Sequence, residues 1–191
     1  MRPRLLVLRF ALVLTAVFVF PNRAGADDAA AAAPLEVSAA NDVISSAVPK
    51  ASVVGHGRLS YVFWDVYDAT LYAPEGHWIP NKPFALSVEY HTPIEGKDIA
   101  DRSAQEMRNE GLADEIKLAA WHAQMKSVFP DVKSGTTLTA VYVPGRQTIF
   151  YEGDQPIGVI KGNDFAGYFF GIWLSDKTTE PALRRALLGL P

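Results

Sequence analysis

Arg58, Tyr61, Trp64, Tyr67 and Tyr72 fall within 15 residues of one another. A guanidinium and phenol hydroxyls beside apolar rings can hold an anion. The polar groups donate to a carboxylate or phenolate while the rings wall in the remainder of the ligand. In an enzyme the same arginine would hold and activate an oxyanion, and Tyr67 or Tyr72 would relay a proton. The competing reading places these aromatics in the core and leaves Arg58 solvated. Strand alternation bears on the choice. On a straight strand Arg58, Trp64 and Tyr72 share one face and Tyr61 and Tyr67 the other, so Arg58 meets Tyr67 only across a bulge or bend.

Other chemistries find no support in the sequence. The four histidines (His56, His77, His91, His122) do not pair at helix or turn spacing, and there is no cysteine, so no zinc or haem motif exists. Gly55-His56-Gly57 is too short for a dinucleotide fingerprint. No Gly-x-Ser-x-Gly elbow occurs. The expectation is a protein without metal or cofactor.

The elements that must position the aromatic cluster follow from periodicity. Val53 to Tyr72 is rich in β-branched and aromatic residues and reads as one or two strands. Pro74 to Pro83 reads as a loop, and Phe84 to Tyr90 alternates as a half-buried strand. Asp98 is the expected cap of a helix carrying Ile99, Ser103 and Met107 on one face and ending at Gly111. Asp114 opens a second helix with a Leu118, Trp121, Met125, Val128 stripe, stopped by Pro130. The period then changes to two: Thr136–Val143, Thr148–Tyr151 and Pro156–Ile160, with tight turns between, predict an antiparallel meander. Asn163 and Thr179 are the expected caps of two further helices, the last with Pro181 in its first turn. This order predicts an α+β fold with a large antiparallel sheet covered by helices.

The chain opens Met1-Arg2-Pro3-Arg4, continues as an apolar run from Phe10 to Phe20, and reaches Ala24-Gly25-Ala26. Charge, apolar run and small residues in that order predict a cleaved signal peptide over residues 1–26. Arg9 interrupts the run, which leaves it short for a hydrocarbon core roughly 30 Å thick. No cysteine is present for lipid attachment. Residues 27–50, with an alanine run at 29–33, read as a flexible tether, and residues 51–191 as the folded domain. The expected location is the periplasm or the exterior. The formal charge is −3, and four arginines lie in the signal segment, so the processed chain is more acidic still. An acidic surface argues against nucleic acid or an anionic membrane as partner. A protein partner is left open.

A family resemblance adds to this. Gly55-His56-Gly57-Arg58, Val66-Tyr67 and Leu71-Tyr72 are followed in order by Gly96-Lys97-Asp98, Phe129-Pro130 and Lys133-Ser134-Gly135-Thr136. Phe169-Phe170-Gly171-Ile172-Trp173-Leu174 and Leu183-Arg184-Arg185-Ala186-Leu187-Leu188 complete the series. Together, over about residues 53–189, they resemble the chalcone isomerase superfamily, and in particular its bacterial exported, chalcone isomerase-like branch. The resemblance implies an open-faced β-sandwich with a cleft between sheet and helices. It implies either an intramolecular lyase acting on a phenolic enone or a non-catalytic binder of fatty acids. It also implies Arg58 as anion anchor, with Tyr67 beside it. The positions at which the plant enzymes carry a tyrosine and an asparagine hold Ile99 and Glu106 here. Ile99 removes a polar handle and Glu106 adds a negative charge, which argues against true chalcone isomerase chemistry.

The leading expectation is an exported, non-catalytic binder of a small amphipathic or carboxylate ligand such as a fatty acid, held by Arg58, Tyr67, Tyr72 and Trp64. An isomerase using the same cleft is the second expectation. An accessory or partner-binding domain, its cleft filled by its own side chains and Arg58 turned to solvent, is the third.

Overall fold

The computed structural model describes residues 42–191; the expected signal segment and most of the expected tether lie outside them. A short helix, α1, covers residues 42–47. Then follow β1 (Ala51–Tyr61), β2 (Trp64–Pro74), β3 (Phe84–Tyr90), α2 (Gly96–Asn109), α3 (Glu115–Val128), β4 (Thr137–Val143), β5 (Gln147–Glu152), β6 (Gln155–Lys161), α4 (Asn163–Leu174) and α5 (Pro181–Leu187). The strands form one antiparallel sheet in sequence order, β1 to β6. The α+β antiparallel expectation is met, and the Val53–Tyr72 stretch resolves into two long strands.

Alternation sorts the sheet residues. Ala69 and Leu71 of β2, Leu86 and Val88 of β3, Leu138 and Ala140 of β4 and Phe150 of β5 are buried on one face. Helices α2 to α5 contribute Met107, Leu118, Trp121, Met125, Phe165, Phe169, Phe170, Leu174, Leu183 and Leu187 to the same core. The opposite face is covered in part by α1. Ile44 and Val48 are fully buried there against Ala85 and Val141, with Tyr72 and Tyr151 packed at the margin. The packed domain therefore begins by residue 42, and the tether does not extend to residue 50 as its mixed composition suggested. Two apolar side chains four apart on one helical turn are what anchor it.

Helix boundaries follow local chemistry, with three exceptions. Asp114 caps α3 by accepting from the Lys117 N–H at 2.9 Å, as expected. Asp98 does not cap α2; it lies in the first turn, and Glu95 is the cap residue. Asn163 turns its Oδ1 away from α4 and accepts instead from the Gly145 N–H at 2.9 Å and the Tyr142 hydroxyl at 3.1 Å. Thr179 sits one residue too early to cap α5 and donates to Glu106. In the last two cases a tertiary acceptor or donor outcompetes the local cap.

Gly55 and Gly57 lie where α5 crosses β1. A Cβ on Gly55 would stand 2.2 Å from the Ala186 carbonyl oxygen, and one on Gly57 2.8 Å from Leu183 Cδ1. The Gly-His-Gly motif thus serves close helix-on-strand approach.

Candidate functional site

The four residues read as a ligand cluster are distributed over three environments. Arg58 lies on the face of the sheet opposite α2 to α5, across from Asp68 in the register of β1 and β2. Its Nε and Nη2 donate to the two Asp68 oxygens at 2.6 and 2.8 Å, and Nη1 donates to Asp65 at 2.6 Å. His91 Nε2 lies 3.0 Å from Asp68. The guanidinium is therefore half-exposed and already neutralised by two carboxylates. The Ser60 hydroxyl and then Arg58 hold Asp65 below the usual carboxylate range. The Arg58 fork holds Asp68 down to about 2.

Tyr67 faces the helices. Its hydroxyl accepts from Trp173 Nε1 at 2.9 Å, and its ring meets Tyr90 edge-on at 5.9 Å. Burial pushes the phenol well above its ordinary range. Trp173 opposes that shift, and Glu180 adds to it. A hydroxyl so placed stays protonated and does not supply a phenolate at neutral pH. Tyr72 lies on the α1 side, and burial raises it too. Trp64 is exposed at the β1–β2 turn. Arg58 and Tyr67 project from opposite faces, and the bulge between Leu59 and Ser60 does not bring them together. The expected four-residue site is not assembled: alternation sends Tyr67 to the helix side, while Tyr72, opposite Val53, and Trp64, opposite Tyr61, lie away from Arg58 along the strands.

The acid stability of this surface network gives a direct check. A carboxylate with a depressed folded pKa stabilises the fold above its unfolded value and loses that contribution as pH falls through the folded value. Asp68 moves from 3.8 to about 2, so its contribution is full above pH 4 and fades toward pH 2. Arg58→Gln should narrow the stability gap to wild type over that window in urea melts. A gap of equal size at pH 6 and pH 2 would show that the Arg58–Asp68 pair contributes nothing.

Beside Tyr67, α2 carries Glu106 with only 5% exposure. Its Oε2 accepts from Asn109 at 3.1 Å and from Thr179 at 3.0 Å. The Arg102 guanidinium lies 2.5 Å from Oε1, as an ion pair one helical turn away and not as an aligned hydrogen bond. Ile99 packs half-buried against the core. The Glu106 carboxylate is thus engaged on one oxygen by Asn109 and Thr179 and on the other by the charge of Arg102.

The feature sequence reasoning missed lies at the other end of β3. Trp78 from the β2–β3 loop, Phe84 of β3, Tyr142 of β4 and Phe170 and Leu174 of α4 wall a groove with a cavity of about 220 Å³. Phe84 meets Phe170 edge-on at 4.6 Å and Tyr142 at a tilt at 5.2 Å. Asn81, Asn163 and Ser175 supply its polar groups. The Trp78 indole N–H is buried without a partner. Gly167 and Gly171 line the same side of α4, four residues apart, and a Cβ on Gly167 would meet nothing within 4 Å. That glycine spacing was the available sequence signal, since an interior-helix glycine costs about 0.5–1 kcal/mol relative to alanine.

The sheet, its helical cover and these motifs define a chalcone isomerase-like protein. The sequence model of that family, described as chalcone isomerase-like, matches residues 41–189, and the chain belongs to it. The match starts one residue before α1. The chain is 30% identical over 137 residues to an uncharacterized protein of Haemophilus influenzae, covering 71% of this chain and 67% of that protein. Its fold matches the crystal structure of a fatty-acid binding protein of Arabidopsis thaliana with a TM-score of 0.57 at 11% identity, covering 73% of this chain and 87% of the other.

Proposed function

We propose that this protein is an exported, non-catalytic binder of a small amphipathic ligand, seated in the groove between Trp78, Phe84, Tyr142 and α4. The observation that carries the reading is that groove: a mainly apolar, aromatic lining with a few polar groups from Asn81, Asn163 and Ser175. None of the residues lining the groove is cationic. The ligand it suits therefore has a neutral head, a carbonyl or hydroxyl, in preference to the carboxylate expected from Arg58. A groove of about 220 Å³ is comparable to the ~150 Å³ apolar cavity that accepts a benzene ring, so it takes a ring or a short chain. The fold shared with a fatty-acid binding protein supports ligand binding as the class of function. The engaged state of Glu106 and the neutral phenol of Tyr67 weigh against proton transfer. The amino-terminal charge, apolar run and Ala24-Gly25-Ala26 step support export.

Native mass spectrometry of protein recovered from a bacterial periplasm, beside Gly167→Leu, tests the reading. The chain mass should correspond to cleavage after Ala26. A small neutral molecule should accompany wild type and be absent from the variant, whose added side chain fills the groove. That variant should also melt higher, because leucine replaces glycine in a helix for a gain of about 0.8 kcal/mol, so lost binding cannot be assigned to unfolding. Ligand retained by Gly167→Leu overturns this location.

A second reading, an accessory domain that binds a protein partner, is favoured by one observation: Arg58 is turned away from the helices and paired. Bare protein in both samples would move the weight to it.

A further inference from the structure

The β1–β2 turn exposes four large apolar side chains in a row: Tyr61 at 52%, Val62 at 85%, Phe63 at 93% and Trp64 at 70%. Tyr61 and Trp64 are register partners, so Val62 and Phe63 form a two-residue loop at the apex. Such loops favour asparagine and glycine, which reach positive φ without steric cost. Here Val62 has φ 55, a conformation a β-branched residue adopts at a cost. Neither turn propensity nor solubility accounts for Tyr-Val-Phe-Trp at this place.

Polarity is graded along the finger. Val62 and Phe63 are at the tip, and the amphipathic rings of Tyr61 and Trp64 stand one position behind. Behind those lies an ionic collar: Ser60 bonded to Asp65, and Arg58 bonded to Asp65 and Asp68. Apolar tip, aromatic girdle and charged collar in this sequence match the depth profile of a bilayer surface, where tyrosine and tryptophan sit at the headgroup level. With aromatic side chains presenting roughly 150–250 Å² each, the exposed patch is on the order of 500 Å². That is less than the ~800 Å² per partner of a standard protein interface and in the ~300–600 Å² range of the largest, often functional, apolar patch on a monomer.

We propose that the β1–β2 tip inserts into the surface of a bilayer of zwitterionic lipid. The collar selects neutral headgroups, because its single arginine is already matched by two aspartates and no free cation is offered to an anionic lipid. Among the described residues no helix is long and apolar enough to cross a membrane; the contact proposed is at the interface, at the depth that Tyr61 and Trp64 define. It is independent of the groove, which opens at the other end of β3.

The test is flotation of protein purified from the soluble fraction with phosphatidylcholine vesicles, comparing wild type, Phe63→Asp and Ile116→Asp. Ile116 is the control, an equally exposed apolar residue on α3. Wild type and Ile116→Asp should float together. Phe63→Asp should bind at least roughly tenfold more weakly, since burying a phenyl group is worth more than a decade in affinity. Raising salt should leave binding unchanged. Brominated lipid should quench wild-type tryptophan emission more than that of Trp64→Phe. Absence of wild-type flotation, equal binding by Phe63→Asp, or binding abolished by salt would each overturn the proposal. So would a dimer that Phe63→Asp dissociates in the absence of any vesicle binding, because the tip would then belong to a second copy of the chain.

Discussion

Phe169→Ala should lower the unfolding free energy by about 3–5 kcal/mol, the range for deleting a buried aromatic ring. Phe169 is buried at the centre of the layer between sheet and helices. Its ring stacks on Phe165 at 5.4 Å and meets Phe150, Phe170 and Trp173 edge-on at 5.3, 5.3 and 5.5 Å. Phe129 approaches from the end of α3 at 6.3 Å. The substitution forfeits transfer free energy and every one of these contacts, and the rings around it belong to separate elements that cannot all collapse into the space. At roughly 2–4 °C per kcal/mol for a domain of this size, the melting temperature should fall by on the order of 10 °C. The space left would be apolar and dry, so benzene should restore part of the loss. A fall of only a degree or two would mean that the ring cluster is not the core. Trp173 is the link to Tyr67, so near-ultraviolet circular dichroism should lose part of its tryptophan signal as well.

The elements were legible wherever periodicity alone decides them. Leu118, Trp121, Met125 and Val128 made one face of α3, the first three buried and Val128 half-buried against the core, and Thr136 to Ile160 changed period to two and forms the β4–β6 meander. Alternation even foretold that Arg58 and Tyr67 would project from opposite faces. What sequence could not supply was which face of the sheet the helices cover. That choice decides whether Arg58 lines a cleft or faces outward, and it is made by the summed burial of Leu71, Leu86, Ala140 and their partners across four strands. The resemblance placed an arginine anchor at residue 58, and Asp65 and Asp68 fill its donors instead. The groove was hidden for a similar reason. Trp78 sits in a stretch legible only as loop, and its neighbours Phe84, Tyr142 and Phe170 come from three distant segments. α1 was missed because two buried positions in a mixed segment leave no period to read.

Gly55→Ala should be as damaging as the loss of a core ring, although it adds one carbon at an edge strand. The new Cβ would stand 2.2 Å from the Ala186 carbonyl oxygen and 2.6 Å from that of Leu187. Both belong to the last turn of α5, and backbone atoms cannot rotate aside. The helix must lift off β1, withdrawing Leu183 and Leu187 from the core and straining the bond from Arg184 to the Leu174 carbonyl. Overpacking costs about 1–3 kcal/mol where side chains can adjust, and more where backbone blocks the way. Gly57→Ala gives the comparison, because its Cβ would meet Leu183 Cδ1 at 2.8 Å, which a rotamer change relieves, and the fixed Ala186 Cβ at 2.9 Å, a smaller overlap than the one at Gly55. Gly55→Ala should therefore lose clearly more stability than Gly57→Ala in thermal melts. Hydrogen exchange should show where: α5 amides lose protection first while β3 and β4 keep theirs. Equal stability of Gly55→Ala and wild type would mean that α5 does not lie on β1 in solution. If α5 does lie there, it is the clamp on the strand that carries the exposed turn. Gly55→Ala should then also weaken vesicle binding without touching the tip, by loosening the base of the finger that Val62 and Phe63 cap.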